Sequence, residues 1–284
     1  MCDRTGQRSP KRAILARAEQ LLEDFGGSRV LQSPTALAHA QRIVEIARLD
    51  ISFDACLLPV PNGFRVELCR FHSSGRQNFS IAHEIGHTFL IELNPALGLP
   101  KREAGLDRGN QCSLVEQLCD TAAAELLWPT ARFQRDAWEL GPSLRSVLEL
   151  AKRYKASVTA TARRFAELCC WRCYFVVWES VTNRRNETIH LQPRAMYRSP
   201  FVSPIYKQDL IATENSQFYS ALRTKEILRG REPITADKRK CYIESVRLGN
   251  GEGAQVLSLL LVEPYAEYVA RPRRSKPQLS LFLR

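Results

Sequence analysis

The sequence predicts an α+β protein: a mainly helical N-terminal part holding a short β-hairpin, a helix-turn-helix-like segment, and a C-terminal α/β module. Three observations predict it. Apolar residues recur every three or four positions through most of residues 11–170, the stripe of amphipathic helices. Two short apolar stretches within that region flank Pro59-Val60-Pro61-Asn62-Gly63, where Asn-Gly is a hairpin signal. After residue 173 the pattern changes to short runs rich in Val, Leu, Tyr and Trp, which read as strands. The expected boundaries are 1–140, 141–172 and 173–284.

Taken in order, residues 11–25 place apolar side chains at 14, 15, 18, 21, 22 and 25, a helix ended by Gly26-Gly27. A second helix is expected over 35–48, with Ser33 as cap, Pro34 at its first position, and Leu37, Ala40, Ile43, Val44 and Ala47 as its stripe. Residues 50–58 and 64–71 form the hairpin. A helix over 77–92 closes at Asn94-Pro95, residues 94–110 are a loop, and 113–128 is an Ala/Leu-rich helix stopped by Pro129. A helix near 131–139 precedes a break at Gly141-Pro142, and residues 143–170 divide into two helices around Lys155-Ala156-Ser157. Strands are expected at 173–181, 187–193, 240–248 and 254–265, with Gly249-Asn250-Gly251 turning between the last two.

The chain has 284 residues, 44% of them hydrophobic, enough for a sizeable core. Its charged opening lacks the apolar stretch of a signal peptide, and no run reaches the roughly 18 apolar residues of a membrane span. Nine cysteines, an odd number spread along the chain, fit reduced thiols better than a disulfide framework. These features imply a cytoplasmic protein with no membrane partner. The net charge of +11 suggests attraction to nucleic acid or an acidic protein. It is diffuse, however: Arg163-Arg164, Arg184-Arg185, Lys238-Arg239-Lys240 and Arg271 to Arg274 each read first as solvated surface.

The chemistry concentrates in residues 81–90, IAHEIGHTFL. His83 and His87 are four apart and share one helix face, at a spacing where two imidazoles hold one zinc ion. Glu84 sits about 100° round the helix, where it reaches a metal-bound water rather than the metal. The pattern HExxH is short, and a satisfied buried histidine pair is the competing reading. A third ligand is therefore needed. Leu90 and Leu93 stand where a metzincin would carry Gly and His, which excludes that branch. A carboxylate from the 113–128 helix is the alternative. Glu116 is preferred because Asp120, four residues on, would then accept a hydrogen bond from the outer nitrogen of a ligand histidine. Glu125 lies about 180° from Glu116, so both cannot face one ion, and it is left for a salt bridge or a substrate-side role. His72, Arg76 and Tyr154 are candidates, by residue type alone, for stabilising an oxyanion.

The stretches RQNFSIAHEIGHTFL (76–90) and VEQLCDTAAAELLWP (115–129) together resemble the two linked motifs of the ImmA/IrrE family of zinc metallo-endopeptidases. Departures at Ser80, Cys119, Ala122 and Trp128 spare every ligand position. The resemblance implies a zincin-like metallopeptidase domain with one zinc per chain, held by His83, His87 and Glu116, with Glu84 as catalytic base and Asp120 behind the ligands. It also implies stress-response or transcription-regulating roles, with one or a few repressor-like DNA-binding proteins as substrates. A ligand-sensing domain of the GAF sort occurs in some relatives, an analogy for 173–284.

Residues 150–168 have the spacing of a helix-turn-helix, with Arg163 and Arg164 where phosphates could be met. Val158-Thr159-Ala160 is poor in base-reading groups, so packing against the peptidase part is the preferred reading. Cys170 and Cys173 form a CxxC without a second pair, which reads as buried thiols, and Cys119 is expected to pack inward rather than ligate. Asn186-Glu187-Thr188 is a glycosylation pattern without meaning in a cytosolic protein. The leading expectation is thus an intracellular zinc endopeptidase. Its rivals are a DNA-binding transcriptional regulator that keeps a structural or sensing metal site, and a toxin–antitoxin or phage-defence component acting by partner binding. Oligomeric state is not legible.

Overall fold

A computed structural model describes residues 9–27, 33–93, 110–183, 188–235, 240–249 and 253–262. Most of the expected loop 94–110, Asn186 and Glu187 of the glycosylation pattern, and Arg184-Arg185, Lys238-Arg239 and Arg271 to Arg274 of the basic clusters fall outside them. The architecture is α+β, and it divides into two compact units: residues 1–139 with 147–165, and residues 140–146 with 166–284.

In the first unit, Ser9 caps helix α1 (Pro10–Asp24), whose inner face is Ile14, Ala18, Leu21 and Leu22. Gly26 and Gly27 then take left-handed backbone, and Gly27 N–H returns to Leu22 O at 3.0 Å, closing the helix as the paired glycines predict. Helix α2 is only Pro34–Ala40. The helix expected to run to residue 48 is corrected here, because Arg42 turns left-handed (φ 59°) and Ile43–Leu49 becomes strand β1. Ile43, Val44 and Ile46 are β-branched, and parallel pairing with β3 supplies ladder bonds that no local pattern shows.

Strands β2 (Ala55–Val60) and β3 (Gly63–Cys69) form the expected hairpin, and β3 lies centrally in the order β1-β3-β2. Its register pairs Val60 with Gly63, so Pro61 and Asn62 (φ 73°) make the turn. Gly63 serves the sheet instead: a Cβ there would lie 2.1 Å from Arg42 O, the carbonyl that Phe64 N–H reaches at 2.8 Å.

Helix α3 (Ser74–Leu93) and helix α4 (Asn110–Leu127) follow, then α5 (Thr130–Leu140), α6 (Leu144–Arg153) and α7 (Val158–Leu168). Lys155, with φ 50°, makes the α6–α7 turn. That turn is packed onto the start of α3. A Cβ on Gly75 would meet Ser157 N at 2.9 Å, and Asn78 Nδ2 donates to Lys155 O at 3.1 Å. Arg164 is part-buried and donates to Glu125 Oε2 at 2.7 Å and to Trp128 O at 3.0 Å, in keeping with packing rather than phosphate contact. Glu125 also accepts from Thr130 N at 2.7 Å and Thr130 Oγ1 at 2.6 Å, holding the α4–α5 corner. The outer role left for Glu125 is therefore the salt bridge.

The second unit is built on a five-stranded sheet, β4 (Cys173–Asn183), β5 (Thr188–Arg198), β6 (Leu228–Pro233), β7 (Lys240–Leu248) and β8 (Gln255–Leu261), in the order β5-β4-β8-β7-β6. Every pairing is antiparallel, and the helix accompanying the sheet, α8 (Gln217–Leu222), is short. The expectation of an α/β module is corrected accordingly to α+β. Trp178 and Phe218 stack at 4.5 Å within its core, and Trp178 Nε1 donates to Ser258 Oγ at 3.1 Å. Strand β6 was not expected from LRGREP, whose charges and Pro argue against a strand. Its Gly230 makes room for Gln217, since a Cβ would lie 2.4 Å from Gln217 Oε1. Gln217 Nε2 in turn reaches Leu228 O and Ile243 O, pinning α8 to the edge.

Arg164→Ala leaves Glu125 buried without its charge partner, and breaking such a pair costs about 3–5 kcal/mol. A large drop in the urea midpoint is expected; an unchanged midpoint would show that the pair carries no structural weight.

Candidate metal centre

Helix α3 carries His83, Glu84 and His87 on the part of its surface that meets α4, which brings Glu116, Cys119 and Asp120. The two helices approach closely at Gly86. A Cβ on that residue would lie 2.8 Å from Cys119 Cα and 3.1 Å from Cys119 O, so only glycine allows this contact. Gly86 is thus a site residue that motif reading missed. The available signal was a glycine inside an otherwise helical pattern, which costs helix stability without a packing reason.

The contact sets the acids around His83. Asp120 Oδ1 lies 2.9 Å from its Nδ1, and Glu116 Oε2 lies 3.1 Å from its Nε2. The His83 and His87 rings are 5.0 Å apart, edge to face. His83, His87 and Cys119 form a group whose ligand atoms all lie within 4.8 Å of one another. Glu116 is not in that group. Cys119 is fully buried, as expected, and its sulfur lies within 4.8 Å of a ligand nitrogen of each histidine. Glu84 is 4% exposed, and its Oε2 has no hydrogen-bond partner among the described residues.

The electrostatics follow from those contacts. Burial opposes charge on His83, but the hydrogen bonds it donates to Asp120 and Glu116 outweigh it and push its pKa up to about 10. Burial and the neighbouring His83 charge depress His87 to about 4. Burial raises Glu84 to about 7, against the pull of His83. The Cys119 thiol is pushed up by burial, with Glu116, Glu84 and Asp120 adding to it. Two of the oxyanion candidates are engaged elsewhere: Tyr154 donates to Asp136 at 3.0 Å, and Arg76 forks onto Asp54 at 2.7 and 2.9 Å. His72 Nδ1 lies 3.6 Å from Asp54 and makes no hydrogen bond among the described residues.

Two imidazoles, a thiol and a carboxylate are donors that suit zinc rather than magnesium or calcium. The orphaned buried oxygen of Glu84 fits a site built to face one more polar group. The residues present therefore fit a divalent transition metal. A two-histidine helix crossed by an acid-bearing helix has the residue set of a metallopeptidase domain. Residues 66–166 match the family model described as the IrrE N-terminal-like domain, of the M78 peptidases. The linked motifs and these residues are thus similar to the ImmA/IrrE family. It is 36% identical over 92 residues to the radiation response metalloprotease IrrE of Deinococcus deserti, spanning 32% of each chain. Identity to its Deinococcus radiodurans counterpart is 36% over 91 residues, 32% of this chain and 26% of that one. The match thus spans about a third of these relatives at most. A Mycobacterium tuberculosis transcriptional regulator shares the fold, with a TM-score of 0.56 at 14% identity over 88% of this chain and 76% of that one. Among the described residues no helix is long and apolar enough to cross a membrane.

Two outcomes follow from the geometry. Gly86→Ala overpacks the α3–α4 contact and should cost about 1–3 kcal/mol, read as a fall in melting temperature. In protein stripped of metal with a chelator, the raised Glu84 pKa makes the folded state hold its proton longer than the unfolded state, so burial of Glu84 costs nothing below about pH 4.5. The cost grows through pH 5–7 and is complete above it. Glu84→Gln should then stabilise the stripped protein by about 3 kcal/mol at pH 8 and not at pH 4. Urea titrations at both values check this, and a gain independent of pH would count against the buried-carboxyl account.

Proposed function

We propose that this chain is a zinc-dependent endopeptidase that acts in the cytoplasm on one or a few regulatory proteins, with repressor-like DNA-binding proteins as its substrate class. The observation that carries the reading is buried Glu84, whose Oε2 lacks a partner, beside a histidine pair and an acid from the next helix, within a segment that matches a metallopeptidase family model. Cys56, Cys69, Cys119, Cys169, Cys170, Cys173 and Cys241 form no disulfide, in keeping with a reducing compartment.

In this reading His83, His87 and Glu116 hold one zinc ion, and the domain is zincin-like. Bound zinc would supply Lewis-acid polarisation of the scissile carbonyl and a water acidic enough to deprotonate near neutral pH. Glu84, with a pKa near 7, is suited to take a proton from the attacking water at Oε2 and return it to the leaving amine. Asp120 accepts from His83 Nδ1, which fixes the tautomer that leaves Nε2 free for the ion. His83 would offer Nε2 to an ion once the proton facing Glu116 there is lost, while Nδ1–H stays on Asp120.

A second reading, a DNA-binding transcriptional regulator with a structural or sensing metal, is favoured by the net charge of +11 and by the fold shared with a transcriptional regulator. The partial burial of Arg164 and the packing of the α6–α7 turn on α3 weigh against using that helix pair as a DNA reader.

Purified protein should hold about one zinc per chain, and His83→Ala should lose it. Glu84→Gln should keep the ion and abolish cleavage, so that proteins cut in cells with the wild type persist in cells with the variant. A Glu84→Gln strain with an unchanged proteome and a chain that shifts duplex DNA in a salt-dependent way would favour the regulator.

A further inference from the structure

Cys119 has no place in the hydrolytic reading, yet it occupies the centre of the site. Its thiol falls in one group with the ligand nitrogens of His83 and His87. The close approach of α3 and α4 does not need the sulfur, because the atoms that Gly86 makes room for are Cys119 Cα, Cβ and O. Any small residue would satisfy that contact. The sulfur is instead turned toward the histidines, fully shielded from solvent. An independent sign that this pocket is built around a cation is Glu84, whose buried Oε2 lacks a partner while its carboxyl feels both His83 and Glu116.

We propose that Cys119 is a direct ligand of the bound metal ion, a thiolate that completes a closed set with His83, His87 and Glu116 and must withdraw before the centre can act on a peptide. The inference rests on the metal reading above and adds regulation to it. Structural zinc sites are filled by four protein ligands, whereas hydrolytic ones keep one position for water, so the fourth ligand decides which kind of site this is. On ligation the S–H bond breaks, a sulfur–metal bond forms and the proton leaves to solvent; no oxidant or reductant takes part.

Cobalt(II) loaded into the full chain in place of zinc tests this. Wild type should show visible cobalt bands together with an intense near-ultraviolet thiolate-to-cobalt band. Cys119→Ser should keep the visible bands and lose the ultraviolet one, and His83→Ala should lose both. Visible bands without the ultraviolet band in loaded wild type would overturn the cysteine assignment and leave the metal site standing, as would an ultraviolet band that survives Cys119→Ser. Wild type that takes up no cobalt would overturn both. Should the serine variant fail to fold, zinc-edge X-ray absorption on wild type decides: a sulfur shell at about 2.3 Å supports the proposal, and only nitrogen and oxygen at about 2.0–2.2 Å ends it.

Discussion

The site depends on one steric constraint: α3 and α4 touch backbone to backbone where Gly86 faces Cys119. Helices packed through ordinary side chains run about 8–10 Å apart. With no Cβ on Gly86, α4 comes close enough for Asp120 and Glu116 to hydrogen-bond the two nitrogens of His83. A carboxylate side chain is short, so a modest separation of the helices would place both acids out of reach. The same contact brings the Cys119 sulfur among the histidines.

Charge is managed differently at the site and away from it. Glu125 and Arg164 neutralise each other, and both also bond to backbone or hydroxyl groups at the α4–α5 corner, although Arg164 Nε itself finds no partner among the described residues. Around His83 the balance is incomplete. Glu84 is buried beside it with one oxygen unsatisfied, and the groups' proton affinities spread from about 4 at His87 to about 10 at His83. Such spread among neighbouring groups marks functional sites more often than structural ones, because stability alone favours full pairing.

Local elements were legible where a periodic pattern had local punctuation. α1 ends at its two glycines, the α6–α7 turn lies at Lys155, and the β2–β3 hairpin forms beside Asn62. Elements whose state is set by distant partners were not. Ile43–Leu49 satisfies a helical stripe and a strand equally well, and its parallel partner β3 decides for strand. LRGREP becomes β6 because β7 offers a free edge and Gly230 admits Gln217. Arg164 reads as a surface charge until Glu125 is found 2.7 Å away, 39 residues back in the chain.

By itself the sequence determined which candidate residues share a helix face: HExxH on one helix and an acidic pair four apart on a later one, since helical periodicity alone sets which side chains point the same way. Only tertiary structure decided how those two faces meet. Whether Asp120 reaches Nδ1, whether Glu116 reaches Nε2, and whether Cys119 joins the histidines or merely fills space depends on the separation and rotation of α3 against α4. Those quantities arise from packing between segments far apart in the chain, at Gly86 above all, and no periodicity within either helix encodes them.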